Sequence, residues 1–251
     1  MIFRLHTGLL ALLISASSFA QTQLYTESFA PFSYQQDGVI KGKAVAIVRR
    51  MADEIQEPYQ IKLWPWIRAY TKVKNTANTG LFLVAKTPAR EKLFKWVGPI
   101  IEDHIYLCQR ATASPLPYMR LDQLSKRANI AITRGFPEQE ILQRHGFNNL
   151  KLTKNPLHAL QLLHRGHADY VSCTPYTLPQ LLKAASLPAE SFQYTSMKVY
   201  QAELYLAFNQ QTPDAHVEKW QHAMLKLQRE GKLTSLTPDY IHLETPLENG
   251  H

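Results

Sequence analysis

The sequence has few of the features that mark the common enzyme classes. It contains only two cysteines, Cys108 and Cys173, with no CxxC pair and no zinc-ligand spacing. The nucleophile elbow GxSxG, the phosphate-binding Walker loop and the dinucleotide fingerprint GxGxxG are all missing. These absences argue against a dithiol redox site, an elbow-type hydrolase and a nucleotide-dependent enzyme.

Beyond residue 20 no apolar run approaches the roughly 20 residues that cross a bilayer. Residues 1–20 combine one early base, Arg4, with a short apolar run and a small-x-small ending at Ser18-Phe19-Ala20. This pattern predicts a secretory signal peptide that is cleaved near Ala20. We therefore expect a periplasmic protein.

The formal net charge is +8, from 28 Lys and Arg against 20 Asp and Glu. Because the basic residues are dispersed and form no run, we interpret the charge as solvated surface and expect no nucleic-acid partner. A mild preference for acidic small ligands follows from the positive sign.

Strand-like and helix-like segments alternate along the chain. This order predicts an α/β protein with mainly parallel sheets and flanking helices, in two units of similar size. Helix signals include Asn155 before Pro156, and Thr212 before a long helix that Gly231 ends. The first unit begins with "QLYTES", "GKAVAIVRRMADEIQ", "QIKLW", "WIRAYTKVK" and "GLFLVA".

The two cysteines lie in strand-like runs, and the sequence leaves a disulfide and two buried thiols equally open. His158, His164 and His167 form the densest histidine group, but no acid or cysteine near them completes a metal site. We interpret the neighbouring Glu102 and Asp103 as a solvated turn. The sequence therefore predicts no metal, no cofactor and no catalytic pair.

One loop stands out, "AKTPAREKLFKWVGPI", which follows a buried strand. In an open parallel sheet, ligands bind beyond the carboxyl ends of the strands. Arg90 lies just past such an end, where a guanidinium can grip a carboxylate with two hydrogen bonds, and Thr87 can add a hydroxyl. From the residues alone, an exposed surface base is an equally good interpretation.

Several stretches resemble the periplasmic solute-binding proteins of family 3, the amino-acid-binding type. "KTPAREKLFKWVGPI" is similar to the family's T-P-x-R-x-K-x-F signature. "YTESFAPFSYQQDGVIKGKAVAIVRRMADEI" resembles its opening strand, aromatic-x-Pro-Phe loop and Gly-led helix. "ALQLLHRGHADYV" and "LKLQREGKLTSLTPDYI" resemble its later landmarks.

The resemblance implies two α/β lobes that are joined by two strands and close on a ligand like a clamshell. It places lobe one at residues 21–103 and 200–251 and lobe two at residues 104–199. It implies that Arg90 binds a ligand carboxylate, that Phe29 packs on the ligand and that Trp66 lines the cleft. Arg68 either lines the cleft beside Trp66 or lies on the helix surface, and the two interpretations are equally good. In lobe two it points to the loop of Arg134, Gly135 and Phe136, whose backbone N–H groups at a helix start suit an anion, and to Thr174.

The chain departs from the family pattern at three places. Ala85 replaces the Ser or Thr five residues before the arginine, the first helix carries no early acid, and neutral Thr174 replaces the Asp that holds a ligand ammonium. Either Glu27 or another lobe-one acid takes over, or the ligand is not a simple α-amino acid. We favour the second interpretation, in which Phe29, Trp66, Phe136 and Tyr176 suit a flat or apolar group.

The expected function is capture of a small polar, carboxylate-bearing solute by a monomer that delivers it to the permease of an ABC-type inner-membrane transporter. One alternative is a ligand-sensing partner of a membrane receptor. Another is a dehydratase of amino-acid-like ring acids on the same fold. That chemistry needs an acid in the cleft, and among the expected cleft positions only Glu27 supplies one.

Overall fold

The computed structural model describes residues 21–113, 120–124 and 126–233. Ten strands and six α-helices follow one another in these ranges, together with three short 3-10 turns. In chain order they are β1 (Thr22–Thr26), β2 (Tyr34–Gln36), β3 (Val39–Lys41), α1 (Lys43–Ile55), β4 (Tyr59–Leu63), α2 (Trp66–Lys74), β5 (Thr79–Ala85), β6 (Phe94–Arg110), β7 (Ile130–Thr133), α3 (Pro137–Arg144), β8 (Leu150–Thr153), α4 (Pro156–His164), β9 (Tyr170–Cys173), α5 (Leu178–Ala185), β10 (Phe192–Asn209) and α6 (Asp214–Arg229).

Eight of the strands form one continuous sheet in the order β4-β1-β5-β10-β6-β9-β7-β8. The outer strands on each side, β4-β1-β5 and β9-β7-β8, are parallel, as βαβ connections require. The central pairs are antiparallel. The predicted α/β class is confirmed, and the antiparallel centre is an addition that the alternation of elements did not indicate.

Two long strands connect the halves of the sheet. Strand β6 has 17 residues and β10 has 18, and they pair from Phe192 with Arg110 to Asn209 with Phe94. One end of this ribbon completes the sheet of lobe one and the other end that of lobe two. The predicted lobe boundaries at residues 103/104 and 199/200 fall inside these strands and stay a prediction.

Helices bury their apolar sides against both faces of the sheet. The stripe predicted for the last helix is buried at Val217, Trp220, Met224 and Leu227. Asn155 caps α4, since its side chain accepts the His158 N–H. The predicted Thr212 cap is wrong: α6 begins after Pro213 with no side-chain cap, and the Thr212 hydroxyl is buried without a hydrogen-bond partner.

Cys108 in β6 and Cys173 in β9 form a disulfide, with their Cα atoms 6.0 Å apart. Both belong to the lobe-two core, beside Leu160 and Leu163 of α4. Of the two possibilities that the sequence left open, a pair of free thiols is therefore wrong. The bond fastens β9, and with it the residues that follow Cys173, to the connecting strand β6.

Within the described ranges no helix combines the length and the apolar character needed to cross a membrane. The predicted signal peptide at residues 1–20 lies outside the described residues and stays a prediction, as does the assignment of residues 234–251 to lobe one.

Candidate functional site

A cavity of about 60 Å³ lies between the two halves of the molecule, where the parallel strands end. Glu27 follows β1, Arg90 follows β5, Phe136 follows β7 and Thr174 follows β9. These positions agree with the rule that ligands bind beyond the carboxyl ends of parallel strands. The volume holds roughly four or five waters, so an amino-acid-sized ligand needs the lobes to move apart.

Arg90 lies in the cavity wall and is only 9% exposed. Its guanidinium donates to the Ala85 carbonyl at 3.3 Å and to the Gly135 carbonyl of the other lobe at 2.7 Å. The rings of Trp66 and Tyr70 lie 5.2 and 5.6 Å from the guanidinium carbon. Two of its five N–H donors are thus used, which leaves three for a ligand. The interpretation of Arg90 as a surface base is wrong.

Three of the predicted aromatic side chains meet at the cavity. Phe136 of lobe two makes edge contacts with Phe29 and Trp66 of lobe one, with ring centroids 6.3 and 5.8 Å apart. All three line the cavity. Tyr176 lies outside the wall and packs on Phe32 at 5.6 Å. The aromatic group gives the site an apolar side and joins the lobes.

Four other predicted residues lie outside the cavity wall, namely Arg68, Thr87, Arg134 and Gly135. Arg68 is exposed and stacks on Trp64, with 3.9 Å between its guanidinium carbon and the ring centroid. Arg134 is exposed as well, because it is the first residue beyond the buried strand β7. The Thr87 carbonyl accepts the N–H groups of Arg90 and Glu91 and so builds the turn that presents Arg90.

Gly135 contributes its carbonyl oxygen rather than its N–H group. The carbonyl accepts hydrogen bonds from Arg90 and from the Trp66 indole, while the N–H is donated to the side chain of Gln139. With φ at +77°, Gly135 has the left-handed conformation that favours glycine. This loop is thus built to meet lobe one, and its N–H is already satisfied inside lobe two.

Three buried carboxyl groups line the cavity, and sequence reasoning found only Glu27. Asp103 is 1% exposed and Glu138 is 4% exposed. The interpretation of Glu102 and Asp103 as a solvated turn is wrong, since both belong to β6, where neighbours alternate between faces. The statement that only Glu27 supplies an acid to the cleft is wrong for the same reason. Glu138, in the first turn of α3, follows directly on the predicted loop.

Burial raises the pKa of all three acids. Burial and the charge of Glu138 raise the pKa of Glu27 to about 8, against the opposing charge of Arg90. Burial raises the pKa of Glu138 to about 7, although its own N–H and Arg90 lower it. Burial likewise raises the pKa of Asp103 to about 7, while the His104 N–H and the Thr174 side chain act in the opposite direction. Burial also raises the pKa of Tyr200 well above its usual value.

Asp103 supplies a carboxylate at the place where the sequence offered only neutral Thr174. The two side chains are close enough to interact, and one Asp103 oxygen, Oδ2, is buried without a hydrogen-bond partner. The Thr174 hydroxyl is held by the N–H and the hydroxyl of Thr177. Of the two possibilities that the sequence left open, an acid other than Glu27 is therefore available for a ligand ammonium, because Asp103 of the connecting strand β6 supplies it. The favoured possibility, a ligand that is not a simple α-amino acid, stays a prediction.

Across residues 21–113, 120–124 and 126–233, no group of three or more His, Cys, Asp or Glu side chains is placed to hold a metal ion. The cavity brings together one guanidinium, three carboxyls and an aromatic side, which are binding groups for a charged organic ligand.

No protein-family model and no curated protein sequence matches the chain. Solved structures match it well. A histidine kinase sensor domain with similarity to periplasmic binding proteins has a TM-score of 0.77 at 18% identity, covering 86% of this chain and 93% of that one. ArtJ of the thermophilic bacterium Geobacillus stearothermophilus, an arginine-, lysine- and histidine-binding protein, has a TM-score of 0.72 at 17% identity, with 86% and 93% covered.

The ligand-binding core of GluR0 in complex with L-glutamate is similar too, with a TM-score of 0.73 at 18% identity and coverage of 87% and 97%. The chain therefore has the two-lobed fold of the amino-acid-binding periplasmic proteins, the fold of family 3 that its motifs resemble. These neighbours are a kinase sensor domain, an amino-acid-binding protein and a ligand-binding core, so the fold alone does not choose a role for this chain.

Proposed function

We propose that the protein captures a small, carboxylate-bearing solute in the cavity between its lobes and delivers it to the permease of an ABC-type transporter in the inner membrane. The observation that carries this proposal is Arg90, a buried guanidinium beyond the end of β5 that faces the interlobe cavity. Neighbours with this fold include ArtJ, and also the substrate-binding protein of an amino acid ABC transporter.

In this proposal the ligand carboxylate takes the place of the Gly135 carbonyl at Arg90. The cross-cleft hydrogen bond of 2.7 Å opens as the lobes part, and the guanidinium then offers a planar pair of N–H donors. Phe29, Trp66 and Phe136 close over the ligand from both lobes. Lobe one comprises residues 21–103 and 200–251, lobe two comprises residues 104–199, and the bending point is in β6 and β10.

Export to the periplasm after cleavage near Ala20, and action as a monomer, belong to the same proposal. A thermal-shift screen of the mature chain against amino acids, organic acids and small peptides tests it. A ligand at a hundred times its dissociation constant adds about 2.7 kcal/mol, which raises the melting temperature by roughly 5–10 °C for a chain of this size. No shift with any of these compounds would contradict capture of a carboxylate solute.

A sensing role is the second candidate, because the fold is shared with a histidine kinase sensor domain at a TM-score of 0.77. In that case the ligand-loaded protein binds the periplasmic part of a receptor rather than a permease. Co-purification of membrane proteins with the loaded and the empty protein distinguishes the two roles, since the captured partner is a permease in one case and a receptor in the other.

The dehydratase alternative regains support from the three cavity acids, because carboxyls with a pKa near 7 can exchange protons at neutral pH. Incubating the protein with each ligand that shifts its melting temperature, followed by mass analysis of the ligand, tests it. Recovery of unchanged ligand supports binding, and loss of water that disappears in Glu27→Gln supports catalysis.

A further inference from the structure

The cavity holds more acid than its single base can pair. Its charged lining residues are Arg90 and the three acids Glu27, Asp103 and Glu138. Among the residues that the structure describes, none of these acids forms an ion pair with a Lys, Arg or His side chain. Asp103 Oδ2 and Glu138 Oε2 are buried and have no hydrogen-bond partner at all. An ionised carboxyl without a partner is costly in a buried site, so these groups hold their protons until a cation enters and pairs with them.

The three acids also form an interacting set rather than three separate sites. Glu138 acts electrostatically on Glu27 and on Asp103, and Arg90 acts on Glu27 and on Glu138. Burial keeps protons on these groups while the cavity is empty, and the charge of Glu138 adds a smaller contribution at Glu27 and Asp103. A ligand cation favours the ionised form of an acid next to it and so displaces its proton.

The charges of the residues that line the cavity favour a ligand with more than one cationic group. With its three acids ionised, the cavity carries one positive and three negative charges, a net charge of −2. A zwitterionic amino acid brings one carboxylate for Arg90 and one ammonium for one acid, so two buried acids must keep their protons. A ligand with a second cationic group pairs two of the three acids, and only one acid then keeps its proton. The fold itself does not set this preference, since its solved examples bind ligands of either charge, arginine and L-glutamate.

We propose that the cavity takes a dibasic amino acid, with its carboxylate on Arg90, its α-ammonium on Asp103 beside Thr174, and its second cationic group on the Glu27 and Glu138 pair. This assignment rests on the proposed function and specifies the ligand class of the same site. Glu27 follows β1 and Glu138 begins α3, so the second cation bridges the two lobes and favours the closed form.

Pairs of isosteric ligands that differ in one charge test this assignment. L-arginine and L-citrulline share their shape, and only arginine carries the guanidinium; L-lysine and L-2-aminoheptanoic acid, in which a methyl group replaces the side-chain ammonium, form a second such pair. Calorimetry at pH 7 should show arginine or lysine binding on the order of 30-fold or more tightly than its uncharged counterpart, the loss expected when one member of a buried charge pair is removed.

Three variants assign the charges to the acids. Glu27→Gln and Glu138→Gln should weaken binding of the dibasic ligand by about 30-fold or more and change that of its neutral counterpart little. Asp103→Asn should weaken both, because both carry the α-ammonium. Glutamine and asparagine imitate the protonated carboxyls, so the variants keep the fold of the empty protein. Glu102→Gln is the matched control, since Glu102 is exposed on the opposite face of β6 and should change nothing.

The outcomes separate this inference from the proposed function. If neutral or acidic amino acids bind as tightly as their dibasic counterparts, or if the Glu27 and Glu138 variants affect both ligands equally, the charge assignment is wrong while solute capture stands. If no carboxylate-bearing compound of any charge binds, both are wrong.

Discussion

The Arg90 guanidinium and the Gly135 carbonyl, which follow strands in opposite lobes, are joined by a hydrogen bond of 2.7 Å. The Trp66 indole donates to the same carbonyl at 3.2 Å. A single backbone oxygen of lobe two therefore accepts two donors of lobe one, and both belong to the aromatic and basic wall of the cavity. In the closed form this contact connects Arg90, the proposed anchor of the ligand carboxylate, directly to lobe two.

Replacing Arg90 by alanine should remove most ligand binding. The loss of one member of a buried, charge-assisted pair costs about 2–5 kcal/mol, which corresponds to a fall in affinity of roughly 30-fold to several thousand-fold. Calorimetry with the best ligand of the screen measures the effect.

Arg68→Ala is the matched control, because Arg68 is an exposed arginine that stacks on Trp64 outside the cavity wall. We expect its affinity to stay within about twofold of the unmodified protein. Equal losses in the two variants would contradict a specific role for Arg90.

Gly135→Ala should weaken ligand binding because the added Cβ destabilises the closed form, in which the two lobes are in contact. A Cβ at this position would lie 2.9 Å from Ile67 Cδ1 and 3.3 Å from Trp66 Nε1, both across the cleft. The left-handed φ of +77° adds about 1–2 kcal/mol of backbone strain for alanine. Together these effects should lower the melting temperature and reduce affinity on the order of 10-fold or more, measured by thermal shift and calorimetry.

The control for backbone strain is Gly146→Ala. Gly146 has a similar φ of +84°, but its Cβ would meet only Lys126 Cε, at 4.0 Å. Gly146→Ala should lose only the stability that the strain costs, Gly135→Ala should lose at least as much, and only Gly135→Ala should lose affinity. A similar loss of affinity in Gly146→Ala would mean that strain alone accounts for the effect.

Much of the architecture could be predicted from the sequence because the information is local. The alternation of strands and helices indicates two parallel units, and Arg90 and Phe29 stand in loops directly after strands. The aromatic contact of Phe136 with Trp66 needed only the additional expectation that the two loops face each other across a cleft.

The two missed acids depend on long-range structure. Strand periodicity shows that Glu102 and Asp103 point to opposite faces, but it does not say which face looks into a cavity. An acid in the first turn of a helix, such as Glu138, is usually explained by the helix dipole and by solvent. Its burial arises from the approach of the other lobe, which no local pattern records.

The stability of the empty protein should fall as the pH rises from about 4 to about 8. Glu27, Asp103 and Glu138 have pKa values of about 8, 7 and 7 in the folded protein, above the ordinary values of 4.5, 3.8 and 4.5 for these side chains. The folded state therefore holds more protons than the unfolded chain in this range, and unfolding releases them. Their stabilising contribution is fully present below about pH 4 and is lost as the pH rises through the folded values, at up to about 1.4 kcal/mol per pH unit and group.

The Glu27→Gln variant isolates this effect from other titrating groups such as His104 and His216. Glutamine does not titrate, so the melting temperature of the variant should rise relative to that of the unmodified protein between pH 5 and pH 8. A difference between the two proteins that stays constant over this range would mean that Glu27 is not held protonated by its surroundings.

Removing the Cys108–Cys173 bond should destabilise lobe two. The two residues are 65 positions apart, and a loop of that length corresponds to about 4 kcal/mol of unfolded-state entropy. For a chain of this size we expect Cys108→Ala/Cys173→Ala to lower the melting temperature by roughly 8–16 °C. Alanine is the suitable replacement, since both positions are buried among apolar side chains where a serine hydroxyl would lack a partner.

Because Cys173 lines the cavity and directly precedes Thr174, the variant should also bind ligand less tightly. Dithiothreitol should lower the melting temperature of the unmodified protein toward that of the variant and leave the variant unchanged. Two titratable thiols per unfolded chain in the absence of reductant would show that the bond does not form.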